Sequence, residues 1–200
     1  MTTPKKPEER KKEIILRAKK LFSEKGYNST QVKDIVTEVG VAQGLFYYYF
    51  KSKEEVMEAV AEEYAETIIN EINSNLNADS SFIEKCNNIF SIFIKNADES
   101  GKLFEGIQTA ENGIIHHKIM HFVAKKLIPL VTQLVEEANS IKDAYCEYPK
   151  ESVEILIYGI FSTLESIPFE EKINYVKSNI DIWMKIIKNI FKISDREEQA

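Results

Sequence analysis

The chain has 200 residues, 44% hydrophobic and 29% charged, with a net charge of −6. That length and balance fit one globular domain or two small ones and exclude a disordered tail. The acidic total, taken alone, argues against a surface that must neutralise phosphates. Seven glycines and five prolines are about half the usual share of the pair, so turns are few and long helices are favoured over a many-stranded β fold.

In chain order, a first helix runs from Glu8 to Lys25, with Ile14, Ile15, Ala18, Leu21 and Phe22 on one face at the 3.6-residue period. Lys11, Lys12, Arg17, Lys19 and Lys20 cover much of the rest, and Gly26 ends the helix in the left-handed conformation. Asn28-Ser29-Thr30 offers the N-cap of a second helix that buries Val32, Ile35, Val36 and Val39. Gly40 ends it, and a third short helix begins near Ala42. Two short helices joined by a tight glycine turn make a helix-turn-helix, whose second helix enters the major groove. In that helix Phe46, Tyr49 and Phe50 stand at i, i+3 and i+4 and form the buried face, while Gln43 and Tyr47 share another, beside Gly44, Leu45 and Tyr48. Gln bonds an adenine edge bidentately, a Tyr hydroxyl reaches a phosphate, and Leu45 suits a thymine methyl. Gly44 permits close approach to DNA or to a neighbouring helix. Ser52 and Glu55 have capping-box spacing, so a long fourth helix starts there and runs to about Asn75, with Lys53 in its first turn as a phosphate contact.

The stretch from Gly26 to Val56 resembles the DNA-binding domain of the TetR family of transcriptional regulators. The resemblance rests on Gly26-Tyr27, Thr30, Asp34-Ile35, Gly40-Val41, Gly44, Tyr47, Tyr49-Phe50 and Lys51-Ser52-Lys53-Glu54. It implies DNA-contacting positions at Thr30, Lys33, Gln43, Gly44, Leu45, Tyr47, Tyr48 and Lys53. Many members carry Lys or Arg where this chain has Gln43, which favours an adenine over a guanine contact. Ala42 stands where Ser is also common, so one capping hydroxyl is absent.

The expected fold is all-α with about nine helices: a helix-turn-helix domain over residues 1–53 and a helical ligand-binding and dimerisation domain over 54–200. The fourth helix carries Val56, Val60, Tyr64, Ile68 and Ile72. A fifth spans Ser81 to Ala97, and Gly101 and Gly106 bound a less regular stretch. Ile114 to Asn139 reads as one helix bent at Pro129. The last two helices cover Pro149–Ser166 and Phe169–Phe191. In the first, Ile155, Gly159, Ile160 and Thr163 lie in one stripe. In the second, Ile180, Trp183 and Ile187 lie in one strip and Ile182, Ile186 and Ile193 in another. A helix apolar on two faces wants two partners, one its own domain and the other a second subunit; Ile155, Gly159, Ile160, Thr163, Ile180, Trp183 and Ile187 are the expected homodimer interface.

The resemblance implies a homodimeric repressor, released from a near-palindromic double-stranded DNA operator by a small-molecule effector and acting in the cytoplasm. Phe90, Phe93, Phe104, His121 and Phe122 are the candidate ligand contacts, although core packing explains the phenylalanines equally well. Two alternatives stand beside this reading. One is a helical metalloprotein or enzyme using His117 and His121, which are four apart on one helical face; the other is a constitutive DNA-binding regulator without a ligand. No HExxH pattern, nucleophile–base arrangement or phosphate-binding glycine loop is present, so neither catalysis nor a cofactor or metal is expected. Cys86 and Cys146 have no metal-ligand spacing and read as buried thiols. The charged amino-terminal stretch lacks the apolar core of a signal peptide, and no apolar run approaches the ~18 residues of a membrane span.

The net charge then divides. Residues 1–53 hold 12 Lys and Arg against 6 Asp and Glu, and residues 54–200 hold 14 against 26, so a head of +6 precedes a body of −12. The acidic total therefore does not exclude DNA; it orients the chain upon it.

Overall fold

The computed structural model describes the backbone of residues 6–105 and 113–193 and, outside 97–119 and 169–170, their side chains. All regular structure among the described residues is helical. Eight helices follow one another: α1 (Pro7–Lys25), α2 (Val32–Val39), α3 (Gln43–Tyr49), α4 (Lys53–Asn75), α5 (Phe82–Glu105), α6 (Gly113–Ser140), α7 (Pro149–Glu165) and α8 (Phe169–Ile190). They form two compact units: Met1–Ala65 with Glu99–Phe122, and Glu66–Asp98 with Val123–Ala200. The first unit thus takes in half of α4 beyond Lys53, the half that buries Val56, Met57, Val60 and Ala61.

The apolar stripe of α1 lies where its period places it, with Ile14, Ile15, Ala18, Leu21 and Phe22 all buried. Gly26 ends α1 with φ +80° and ψ +156°. This is an extended, glycine-only conformation and not the expected left-handed one. The N-cap of α2 is Gln31, one residue after the expected polar run. Asp34 reaches back to accept a hydrogen bond from the Gln31 amide at 2.9 Å. Thr30 is instead wholly buried, its hydroxyl donating to Gly26 O at 2.8 Å and Leu21 O at 3.4 Å.

The end of α2 is a Schellman motif. Gly40 adopts φ +74° and ψ +39°, its amide donates to Thr37 O and that of Val41 to Val36 O. This closure redirects the chain into α3 within three residues.

Ser52 and Glu55 divide the capping work at α4. Ser52 Oγ accepts from the Glu55 amide at 3.2 Å, and the Glu55 carboxylate turns back to the Lys51 amide. Ser81 and Glu84 form a reciprocal capping box before α5, and Asp143 Oδ2 accepts from the Phe82 amide at 2.6 Å. The fifth helix does not end near Ala97 before a less regular stretch bounded by Gly101 and Gly106; α5 continues through Gly101 to Glu105. One glycine costs a helix interior only about 1 kcal/mol. Gly106 lies outside the described residues. Pro129 falls inside α6, which continues through it although its ring denies the Lys125 carbonyl a partner.

The second unit is closed by aromatic contacts. Phe82 meets Phe191 edge-on at 5.3 Å, Phe93 meets Phe161 at 6.4 Å, and Phe90 lies 5.9 Å from Trp183. The Asn139 side chain brackets Cys146, donating to its carbonyl and accepting from its amide. The Tyr145 amide caps α8 through Phe191 O at 2.7 Å.

A Cβ at Gly40 would meet nothing within 4 Å, so only the backbone requires glycine there. Gly40→Ala is therefore expected to lower stability by roughly 1 kcal/mol, the cost of an L-residue in the left-handed region. Urea unfolding reads this as a lower midpoint at unchanged slope.

Candidate nucleic-acid interface

The seven residues of α3 and its C-cap Phe50 sort into two faces. Phe46 and Phe50 are buried at 0% and 2% exposure, Tyr49 is half-buried, and Tyr47 and Tyr48 stand out at 51% and 75%. Gln43 and Gly44 are exposed and Leu45 is half-buried. Tyr47 lies edge-on to the buried Phe46 at 5.4 Å, and Tyr48 edge-on to Tyr49 at 4.9 Å, so each exposed ring is braced by its neighbour. Leaving two tyrosine rings in water forgoes the burial energy of both, on the order of 1.5–3 kcal/mol each. A helix this short shows such a surface for a partner. A Cβ at Gly44 would meet nothing within 4 Å, so the fold itself makes no demand for glycine there.

Three cations of the first unit stand beside carboxylates while keeping 42–49% of their side chains exposed. Lys20 and Arg17 on α1 both face the Glu38 carboxylate on α2, at 3.0 and 3.6 Å, and Lys25 faces Asp34 at 3.6 Å. The bond from Lys20 holds the Glu38 carboxyl below its ordinary range. The Gln31 amide does the same for Asp34, opposed by some desolvation and helped by Lys25. These part-exposed pairs link α1 to α2, and solvent screening keeps each of them weak. Lys33 and Lys51 are exposed on the same unit.

Two residues expected at the DNA surface are placed elsewhere. Thr30 has no exposed area, and its hydroxyl is committed to main-chain carbonyls. A fully buried hydroxyl cannot touch a phosphate, and this corrects its assignment as a DNA contact. Lys53 is folded back: Nζ donates to Tyr27 O at 2.8 Å and Thr30 O at 2.9 Å, and lies 4.1 Å from the centre of the Tyr27 ring. Burial lowers the Lys53 ammonium from its ordinary value. Burial also pushes the Tyr27 phenol up, assisted by the charge of Glu54. The pairing of Lys53 with Tyr27 spans twenty-six residues and leaves no local signal in the sequence.

The other expected sites are scattered. Phe90 and Phe93 belong to the second unit, His121 and Phe122 to the first, with the His121 ring exposed and 6.4 Å from Phe122. The side chains of Phe104 and His117 lie outside those described. Among the described residues no group of three or more His, Cys, Asp or Glu is placed to hold a metal ion. Cys86 is buried and its thiol is pushed up to about 12, which leaves it unreactive. Cys146 is buried too, its Sγ donating to Ser152 Oγ at 3.3 Å. Of the expected interface residues, Ile155 is 74% exposed and Gly159 and Thr163 are exposed; Ile160, Ile180 and Trp183 are half-buried. Ile187 is buried within its own chain, whereas Ile182 and Ile186 are exposed on α8. Among the described residues no helix is long and apolar enough to cross a membrane.

Residues 14–60 match the family model described as bacterial regulatory proteins, tetR family. The HTH-type transcriptional repressor KstR2 of Mycolicibacterium smegmatis is 31% identical over 88 residues, 44% of this chain and 43% of that protein. The aligned stretch thus spans less than half of such relatives. Among solved structures, the fatty acid degradation regulator FadR from Bacillus halodurans is 25% identical with a TM-score of 0.60, covering 95% of both chains. Salmonella enterica GusR gives a TM-score of 0.64 at 16% identity, over 96% of this chain and all of that one, and so shares the fold.

Glu38 and Asp34 have folded pKa values below their unfolded ones, so their contribution to stability is present above pH ~4 and lost as pH falls through the folded values. Thermal unfolding between pH 6 and 2 is expected to show a falling midpoint below pH ~4. The fall should be shallower in Glu38→Gln, which has no carboxylate to protonate.

Proposed function

We propose that this chain, whose residues 14–60 match the tetR family of bacterial regulatory proteins, is a homodimeric repressor of transcription released from its operator by a small molecule. One observation carries the DNA half of this reading. The seven-residue α3, delivered by a Schellman turn from α2, turns Gln43, Gly44, Tyr47 and Tyr48 outward while Phe46 and Phe50 hold it down. Laid in the major groove, that face offers an amide to an adenine edge, two phenols to the backbone and Leu45 to a thymine methyl. Lys33 adds an exposed ammonium on α2. Gly44 lets the helix axis approach the groove floor.

Two copies reading adjacent major grooves require half-sites about one helical turn, ~34 Å, apart and therefore a nearly palindromic operator. The apolar side chains left exposed on α7 and α8, Ile155, Tyr158, Ile182, Ile186 and Ile190, support pairing through these helices. An effector releases the dimer only by binding the DNA-incompetent state more tightly, by on the order of 5 kcal/mol for a nearly complete switch. The likeness over almost the whole chain to a fatty acid degradation regulator, together with the aromatic interior of the second unit, favours an effector bearing a long acyl chain. Thermal unfolding with a series of acyl-coenzyme A thioesters of increasing length tests that choice; an unchanged midpoint across the series contradicts it.

Gly44→Ala separates folding from reading. The added methyl group enters open space, so stability is expected to rise by about 0.5–1 kcal/mol. Operator affinity, measured by fluorescence anisotropy, is expected to fall tenfold or more; unchanged affinity would count against close approach at α3. For the dimer, Ile186→Asp is expected to shift sedimentation from two chains to one without unfolding the protein. A wild-type chain that sediments as a monomer at micromolar concentration contradicts the pairing.

A further inference from the structure

We propose that Lys53 is a positioning residue for the DNA-reading helix and not a phosphate ligand, clamping the loop between α1 and α2 to the first turn of α4. The inference rests on the DNA-binding reading above. Lys53 is the first residue of α4, and its ammonium reaches back to two carbonyls of that loop three residues apart, those of Tyr27 and Thr30, while its charge sits over the Tyr27 ring. Charge-assisted bonds of this kind are about twice as strong as neutral ones. Turning out to meet a phosphate would break both; the Tyr27 carbonyl would keep the Thr30 amide at 3.2 Å, and the Thr30 carbonyl would lose its ammonium donor in a part-buried setting.

Thr30 holds the same loop from within. Its buried hydroxyl donates to Gly26 O and Leu21 O, at the end of α1. The carbonyls of Gly26, Tyr27 and Thr30 are thus gripped by two side chains within six residues of the start of α2. Each link onward is short. Gln31 caps α2, α2 ends in the Gly40 closure, and α3 follows. A shift in the first turn of α4 is transmitted through Lys53 to the loop and so to the angle of the reading helix. The same helix continues to Asn75, past the boundary between the two units.

The test uses a duplex that the full wild-type chain enriches from a random-sequence library, with affinity measured across a range of salt concentrations. Lys53→Met keeps the apolar stem and removes the donor. Affinity is expected to fall at least tenfold at every salt concentration, with the slope of log affinity against log salt unchanged. Loss of a phosphate ligand would make that slope shallower by about 0.9 for each copy bound, and this result overturns the proposal. Lys53→Gln supplies a neutral donor and is expected to recover part of the affinity at the wild-type slope; no recovery over Met contradicts the clamp. Thr30→Val removes the inner grip at a position with no exposed surface, and is expected to weaken binding with the slope again unchanged. Should Lys53→Met fail to fold by circular dichroism, Gln and Thr30→Val decide the matter: a shallower slope in the first or wild-type affinity in the second overturns it. A wild-type chain that enriches no duplex is a separate result, which removes the DNA-binding reading and the clamp together.

Discussion

A seven-residue helix cannot hold itself together in water, because nucleation costs more than two turns of hydrogen bonds return. Everything proposed for the amino-terminal unit depends on how α3 is nonetheless kept in place. Two buried rings, Phe46 and Phe50, fasten it from one side, and a Schellman turn at Gly40 sets its direction. With those anchors fixed, the geometry of a helix puts Gln43, Gly44, Tyr47 and Tyr48 on the outside. The reading surface is therefore a consequence of the core beneath it. The α1–α2 ion pairs and the Lys53–Thr30 grip on the connecting loop extend the same logic outward, since each links parts of the platform from which α3 projects.

Charge completes the arrangement. The acidic sum of the chain conceals a head of opposite sign, and several of the head's own acids are spent internally, Glu38 on Lys20 and Arg17 and Asp34 on Lys25. Exposed cations such as Lys33 and Lys51 then set the long-range field that a phosphate backbone meets. Net charge summed over a whole chain averages this away.

Much of this was legible in the residues. The stripe of α1, the closing glycine of α2, the Ser52 cap and the split of α3 into Phe and Gln/Tyr faces are all local patterns, and local physics decides them. The failures share a cause. Thr30 reads as a helix cap because Thr favours that place, but burial recruited its hydroxyl to the end of α1 and Gln31 took the cap instead. Lys53 reads as a phosphate ligand because of its position, yet a partner twenty-six residues away captured it. On α8 periodicity shows two apolar strips but not which turns inward; packing chose Ile187 and left Ile182 and Ile186 outside. Long-range partners, and the choice between two equally apolar faces, are where pattern stops being informative.

The central claim is that the outer face of α3 reads sequence for a pair of chains bound symmetrically. Enrichment of duplexes from a random library by the full-length protein, followed by sequencing, measures this most directly. The account predicts a two-fold symmetric motif with half-site centres about 10 base pairs apart, and loss of the preferred half-site base when Gln43 is replaced by Ala. Enrichment of no motif, or of one unchanged by both Gln43→Ala and Tyr47→Ala, would contradict it.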